Sequence, residues 1–242
     1  MGFLPESRDF RRFWGARVAS FGGDQVAHVA LVVLCAPHGT GAVSLMLLAL
    51  SLPRLAGPLA GALADTLDAK KIMILADAGQ AVTFLLAAVL PFGLATHLPL
   101  VAVATALNTI FLPAGRSSIP RMVRPEDLPR AFAAMAVCFN VGYAAGPLVG
   151  GVLVALVDPR VALGLNASTF AVSILLVTGL DLPPAEHGDR SGTGYWTTLR
   201  TRLTQVVRDP GVLAVGFVTG LLLRRGRTTL HRKGSEKMRT VG

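Results

Sequence analysis

The sequence predicts an all-α polytopic membrane protein of six transmembrane helices with a partial seventh helix. Three observations carry this. Of the 242 residues, 52% are hydrophobic and 15% charged, and the mean hydropathy is +0.57, whereas a soluble domain has about 25% charged residues to cover its surface. Six apolar stretches reach the roughly 20 residues that cross about 30 Å of hydrocarbon. The basic residues gather in alternate connectors, the pattern that fixes orientation in a bilayer. Isolated strands in lipid would leave backbone donors and acceptors unsatisfied, so the spans are read as helices.

In chain order the spans run from Phe13 to Ala36, Ala42 to Ala64, Ile72 to Phe92, Leu98 to Pro120, Ala131 to Val157 and Val161 to Leu180. Arg8, Arg11 and Arg12 ahead of the first stretch resemble a signal peptide. That stretch is long, however, contains Asp24 and lacks a small-residue cleavage signature, so it is read as a retained span. With the N-terminus inside, the inner segments collect Arg8, Arg11, Arg12, Lys70, Lys71, Arg116, Arg121, Arg124 and Arg130, followed by Arg190, Arg200, Arg202 and Arg208. The outer loops hold Arg160 alone. The expected location is the inner or plasma membrane, with the N-terminus cytoplasmic.

The expected organisation is a six-helix transmembrane bundle over 1–182, a cytoplasmic linker along the membrane over 183–210, an incomplete seventh span over 211–223 and a basic tail over 224–242. The apolar run at 211–223 is shorter than the roughly 17 residues a span needs. It is cut off by Arg224, Arg225 and Arg227, so a complete span would place the basic tail outside, against the charge rule.

Several function classes are excluded. A net charge of +9 raises the question of nucleic acid, but the basic residues lie in short loops between apolar runs and not on one soluble face with stacking aromatics. Cys35 and Cys138 both sit in apolar stretches, which leaves neither a disulfide framework nor a CxxC knuckle. Gly-x-Ser-x-Gly, His-Glu-x-x-His and Gly-x-x-x-x-Gly-Lys runs are all missing, so no enzyme, cofactor, metal or direct ATP coupling is expected. Asn166-Ala167-Ser168 matches a glycosylation triplet but is discounted because it lies within the sixth span.

An internal repeat organises the spans. Ala56-Gly57-Pro58-Leu59-Ala60-Gly61 recurs as Ala145-Gly146-Pro147-Leu148-Val149-Gly150, an offset of 89 residues and three spans. Three is odd, so the copies cross in opposite directions, which is the inverted three-plus-three arrangement. Gly57 and Gly61, and Gly142, Gly146 and Gly150, are spaced four apart, clearing a helix face for close approach of a neighbour. Generic packing and a moving, gate-forming contact both remain open.

These features resemble the major facilitator superfamily over nearly all of Phe10 to Leu223. Gly61, Asp65, Lys70 and Lys71 match the family's signature loop after the second span, while Thr66, Asp68 and Ala69 depart from it, which implies a weakened gating network. Gly142, Gly146, Pro147, Gly150 and Gly151 resemble the fifth-helix motif of the family's exporters and antiporters. Phe111 to Arg116, followed by Pro120 and Pro125 to Leu128, resembles the siderophore and macrolide efflux branch. The resemblance implies a twelve-helix transporter in two halves, with membrane lipid, a small amphipathic substrate and protons as partners. This chain supplies one half and the start of the next, so a truncated or frame-shifted product is expected, with a missing C-terminal half or a homodimer partner. A non-transporting or regulatory membrane fragment is the rival reading.

Ionisable groups inside a span cost about 2.5–3.5 kcal/mol on insertion scales and are functional candidates for that reason. Arg17, Ser20, Asp24 and His28 fall three and four apart on the first span, forming one polar stripe expected to face a water-filled cavity. Asp24 is the candidate proton carrier, against simple hydrogen bonding to a neighbouring helix. His28 reads mainly as a packing histidine. Arg54 is expected to be buried, paired with Asp24 or Asp77 or contacting an anionic substrate. Asp77 is assigned to the gating network with the Asp65 loop, and Lys70 and Lys71 mainly to topology.

Overall fold

A computed structural model describes residues 4–64 and 67–182. The chain divides into two units, Met1–Gly188 and Asp189–Gly242. Residues 183–242 lie outside the described residues, and with them the expected linker, the partial seventh helix and the basic tail; Asp65 is likewise outside. In the first unit the helices are α1 (Arg8–Cys35), α2 (Thr40–Ser51), α3 (Gly57–Ala64), α4 (Ala69–Val89), α5 (Leu94–Met122), α6 (Leu128–Leu156) and α7 (Pro159–Thr178). Six segments are long and apolar enough to cross a membrane, matching the six expected spans with ends shifted by a few residues.

Local chemistry sets the ends. Ser7 caps α1 by accepting from the Phe10 amide at 3.2 Å. Asp68 caps α4 by accepting from the Lys70 and Lys71 amides at 2.9 and 3.4 Å, and Asp158 caps α7 by accepting from Arg160 at 2.7 Å. Each cap satisfies an amide that the first turn leaves without a carbonyl. The turn after the first span passes through Gly39 at φ +90°, a conformation that a side chain would strain. The second span departs from the single helix expected over 42–64: a 3₁₀ segment, Leu52–Ala56, separates α2 from α3. Pro53 withholds an amide from the helical ladder, and Ser51 Oγ donates to the Leu47 carbonyl at 2.8 Å just before the break.

The packing has the symmetry that the repeat implies. α1 packs chiefly on α6 and α7, α5 packs on α4 and on the α2–α3 span, and α4 packs on α7. Exchanging first and fourth, second and fifth, and third and sixth spans maps this set of neighbours onto itself. Two apolar clusters close the bundle at opposite ends. One joins Phe10, Phe13, Met73, Ile119, Ala131 and Val177; the other joins Leu31, Met46, Phe84, Val101, Val154 and Leu163. Each cluster draws on alternate ends of successive spans, so the basic connectors share one end of the bundle. There the Arg12 guanidinium donates to the Gly179 carbonyl, and Lys70 Nζ donates to Leu180 O at 2.7 Å, closing carbonyls that the end of α7 leaves open.

The outer surface is apolar. Leu55, Leu75, Val89, Leu148, Leu156 and Leu175 are each at least 70% exposed. Contiguous apolar area on this scale is unfavourable in water at about 25 cal/mol per Å² and costs nothing against acyl chains. The molecule is a multi-pass membrane protein.

Candidate functional site

Between the two apolar clusters lies a polar layer contributed by α1, α4 and α7. Arg17, Ser20, Asp24, Asp77, Gln80, Asn166 and Ser173 are all buried there, at no more than 4% exposure. Asn166 Nδ2 donates to Asp24 Oδ1 at 3.2 Å, and Ser173 Oγ donates to Asp77 Oδ2 at 2.6 Å. The two donors are seven residues apart, two turns of α7, and so share a face. The approach depends on Gly23, where an added methyl would collide with Asn166 Oδ1 and Thr169 Oγ1.

Arg17 is held unusually for a buried cation. Its guanidinium carbon lies 4.4 Å from the Phe111 ring centroid, a cation–π contact. Among the described residues it has no carboxylate within 4.0 Å. Three buried side-chain atoms among the described residues lack a hydrogen-bond partner: Arg17 Nε, Ser20 Oγ and Asp77 Oδ1. All three belong to this layer.

The polar stripe on α1 turns inward, where Asp24 packs against α7 through Asn166 while Arg17, Asp24 and His28 also border cavities. The polar partners that α4 and α7 bring are invisible in the periodicity of one helix. The Asp24–His28 end borders a cleft lined also by Arg54, Gln80, Thr105 and Asn108, and Arg17 at the other end lines a cavity of about 200 Å³ with Phe13, Phe111 and Phe139. His28 is half-buried. Arg54 is exposed, contrary to expectation, and forms no ion pair with Asp24 or Asp77 among the described residues. The 3₁₀ break carries it to the rim of that cleft. It also lines a groove of about 380 Å³ with Gln25, His28, Tyr143 and Pro147.

Asp77 is placed about two turns into α4 and is held by Ser173; Asp65, its expected gating partner, lies outside the described residues. Lys71 is exposed, and Lys70 closes the end of α7. On α6, Gly142, Gly146 and Gly150 lie directly on α1. A Cβ on Gly142 would meet Phe21 at 2.5 Å, one on Gly146 would meet Gln25 Cβ at 2.5 Å, and one on Gly150 would meet Val26 Cα at 3.1 Å. Gly57, Gly61 and Gly151 have no such neighbour within 4 Å among the described residues. Asn166, Ser173 and Gln25 were not among the sequence candidates. The signal for the α7 pair was present, since Asn166, Thr169 and Ser173 repeat the three-and-four spacing that exposed the α1 stripe.

Two inverted three-span units enclosing a charged layer are the architecture of a secondary transporter. The Major Facilitator Superfamily profile matches residues 14–225, and the chain belongs to that family. It is 30% identical over 189 residues to the multidrug efflux pump Tap of Mycolicibacterium fortuitum, covering 73% of this chain and 46% of that protein. It is 30% identical over 183 residues to Tap of Mycobacterium tuberculosis, covering 70% and 43%. It is 28% identical over 136 residues to the uncharacterized MFS-type transporter YfiS of Bacillus subtilis, covering 56% and 32%. The chain spans less than half the length of these relatives.

Proposed function

We propose that this six-span unit serves secondary active export of a small amphipathic compound across the cell membrane, coupled to protons, with its N-terminus in the cytoplasm. Its task is movement and not chemical conversion. Relatives named as multidrug efflux pumps support export, and so does the likeness of the fifth-helix glycines to the exporter motif. The inward orientation is supported by the basic connectors sharing one end of the bundle.

The observation that carries the coupling is the position of Asp24. It is a buried carboxylate at mid-span, bordering a cleft with His28 and Arg54, and an ionisable group at that depth is retained at a cost that transport explains. In this reading Asp24 takes and releases the proton. Arg54, at the rim of the same cleft and of the larger groove, meets the substrate or stands in for its charge.

The test is efflux of a fluorescent lipophilic cation, ethidium, from membranes carrying the full chain under an imposed pH gradient. Gradient-driven efflux above that of empty membranes is expected, and Asp24→Asn is expected to abolish it. Proton-driven efflux that persists unchanged in the variant removes Asp24 from the mechanism.

A further inference from the structure

We propose that the cavity among α1, α5 and α6, at the basic end of the bundle, is a binding site for a small aromatic organic anion whose acidic group supplies the counter-charge that Arg17 lacks. The site follows from its own geometry; only its use as the place where cargo is loaded for export rests on the transport reading.

The cavity has a volume of about 200 Å³, and about 150 Å³ is enough to hold one benzene ring. Phe13 of α1, Phe111 of α5 and Phe132 and Phe139 of α6 line it, so a flat ring inside finds faces and edges to pack against. These walls are held from behind. Phe139 meets the Phe21 ring edge-on at 5.0 Å, and Phe21 is seated at Gly142, where a Cβ would meet it at 2.5 Å. At Gly115 a Cβ would come within 3.0 Å of Phe13 and 3.4 Å of Phe111, so the missing side chain makes room for both rings.

Arg17 and Arg116 line the same cavity, and no acidic residue does. Arg17 is 2% exposed. Its guanidinium carbon rests 4.4 Å from the Phe111 centroid, and its Nε–H has no acceptor. Neither arginine has a carboxylate within 4.0 Å among the described residues. Asp24, two turns farther along α1, is held instead by Asn166 at 3.2 Å. A buried guanidinium without an anionic partner is strongly unfavourable, and its planar fork matches a carboxylate. Arg116 is exposed and adds a second positive charge on the open side of the cavity, beside Ala136. Aromatic walls also attract cations through their ring faces. Here the Phe111 face is already taken by Arg17, and two guanidiniums repel a further positive charge. An anion with an aromatic body satisfies both the charges and the walls. An anionic lipid headgroup offers the same charge, but its acyl body has no use for a ring-lined cavity of this size.

The test is calorimetric titration of benzoate into the full chain in phosphatidylcholine nanodiscs at neutral pH, with benzyl alcohol and benzylammonium as the neutral and cationic analogues. Benzoate is expected to bind saturably, and both analogues about tenfold or more weakly, as the loss of a hydrogen bond between charged groups requires. Arg17→Gln is expected to weaken benzoate by the same factor, and Arg116→Gln by less. Ala136→Phe fills the cavity from an exposed position and leaves Arg17 in place; it is expected to remove benzoate binding, and it carries the test should Arg17→Gln fail to fold by circular dichroism. No saturable binding, equal binding of the three probes, or benzoate affinity unchanged in either folded variant overturns the site. Nanodiscs containing phosphatidylglycerol separate the two sources of the anion. Benzoate binding that persists in them supports the soluble acid, and binding lost in them overturns it in favour of the lipid headgroup. Benzoate binding without gradient-driven efflux would sink the transport reading and leave the site standing, whereas efflux without benzoate binding would sink the site alone.

Discussion

The hexapeptides Ala56–Gly61 and Ala145–Gly150 have nearly the same sequence and opposite surroundings. In the second copy the glycines of α6 are pressed onto Gln25 and Val26 of α1, and a Cβ at Gly146 has no room. In the first copy, Gly57 and Gly61 meet nothing beyond their own helix within 4 Å among the described residues. The first copy also begins inside the 3₁₀ segment, whereas the second lies within the unbroken α6. A small-residue interval therefore specifies that a helix can be approached closely. Whether it is approached depends on what the rest of the fold delivers to that face.

The largest effect should come from filling the covered copy. Gly146→Val is expected to lower stability by about 1–3 kcal/mol, the usual cost of overpacking, because its Cβ starts 2.5 Å from Gln25 Cβ. Gly57→Val should stay within about 0.5 kcal/mol of the parent. Unfolding midpoints of the full chain in mixed micelles measure both, and equal losses would break the comparison.

The helix starts offer the opposite case, in which the two units agree. Asp68 caps α4 and Asp158 caps α7 at equivalent places in the repeat, each accepting from the amide two residues on. Asp68→Ala and Asp158→Ala are each expected to cost about 1 kcal/mol, read as faster amide exchange at Lys70 and Arg160. Markedly unequal costs would show that the asymmetry extends beyond the glycines. The smallest effect, about 0.5 kcal/mol, is expected for Lys70→Met, which reopens the Leu180 carbonyl at the end of α7. Amide exchange in the last turn of α7 would detect it.

Asp68 also shows how a family pattern and a local rule can compete. As a departure from the signature loop it reads as a weakened gating charge, yet here it is the residue that starts the third span. Asn166 teaches the converse: it was discounted as a glycosylation triplet inside a span, and it is the donor that fixes Asp24. Arg54 was expected to be buried because it lies deep in an apolar run. Pro53 and the 3₁₀ turn rotate it to the rim, a change of facing that hydropathy averages out.

Hydrophobic length determined the six helices, because each depends on the free energy of one segment against lipid or water, and the recurring hexapeptide three spans apart determined the inverted repeat. Tertiary structure alone decided that Asp24, Asp77 and Arg17 share one layer with α7, and that of the two hexapeptide copies the second is covered and the first is not. Those facts arise from contacts between residues up to 142 positions apart, and the periodicity of a single helix carries no information about which partner it will meet.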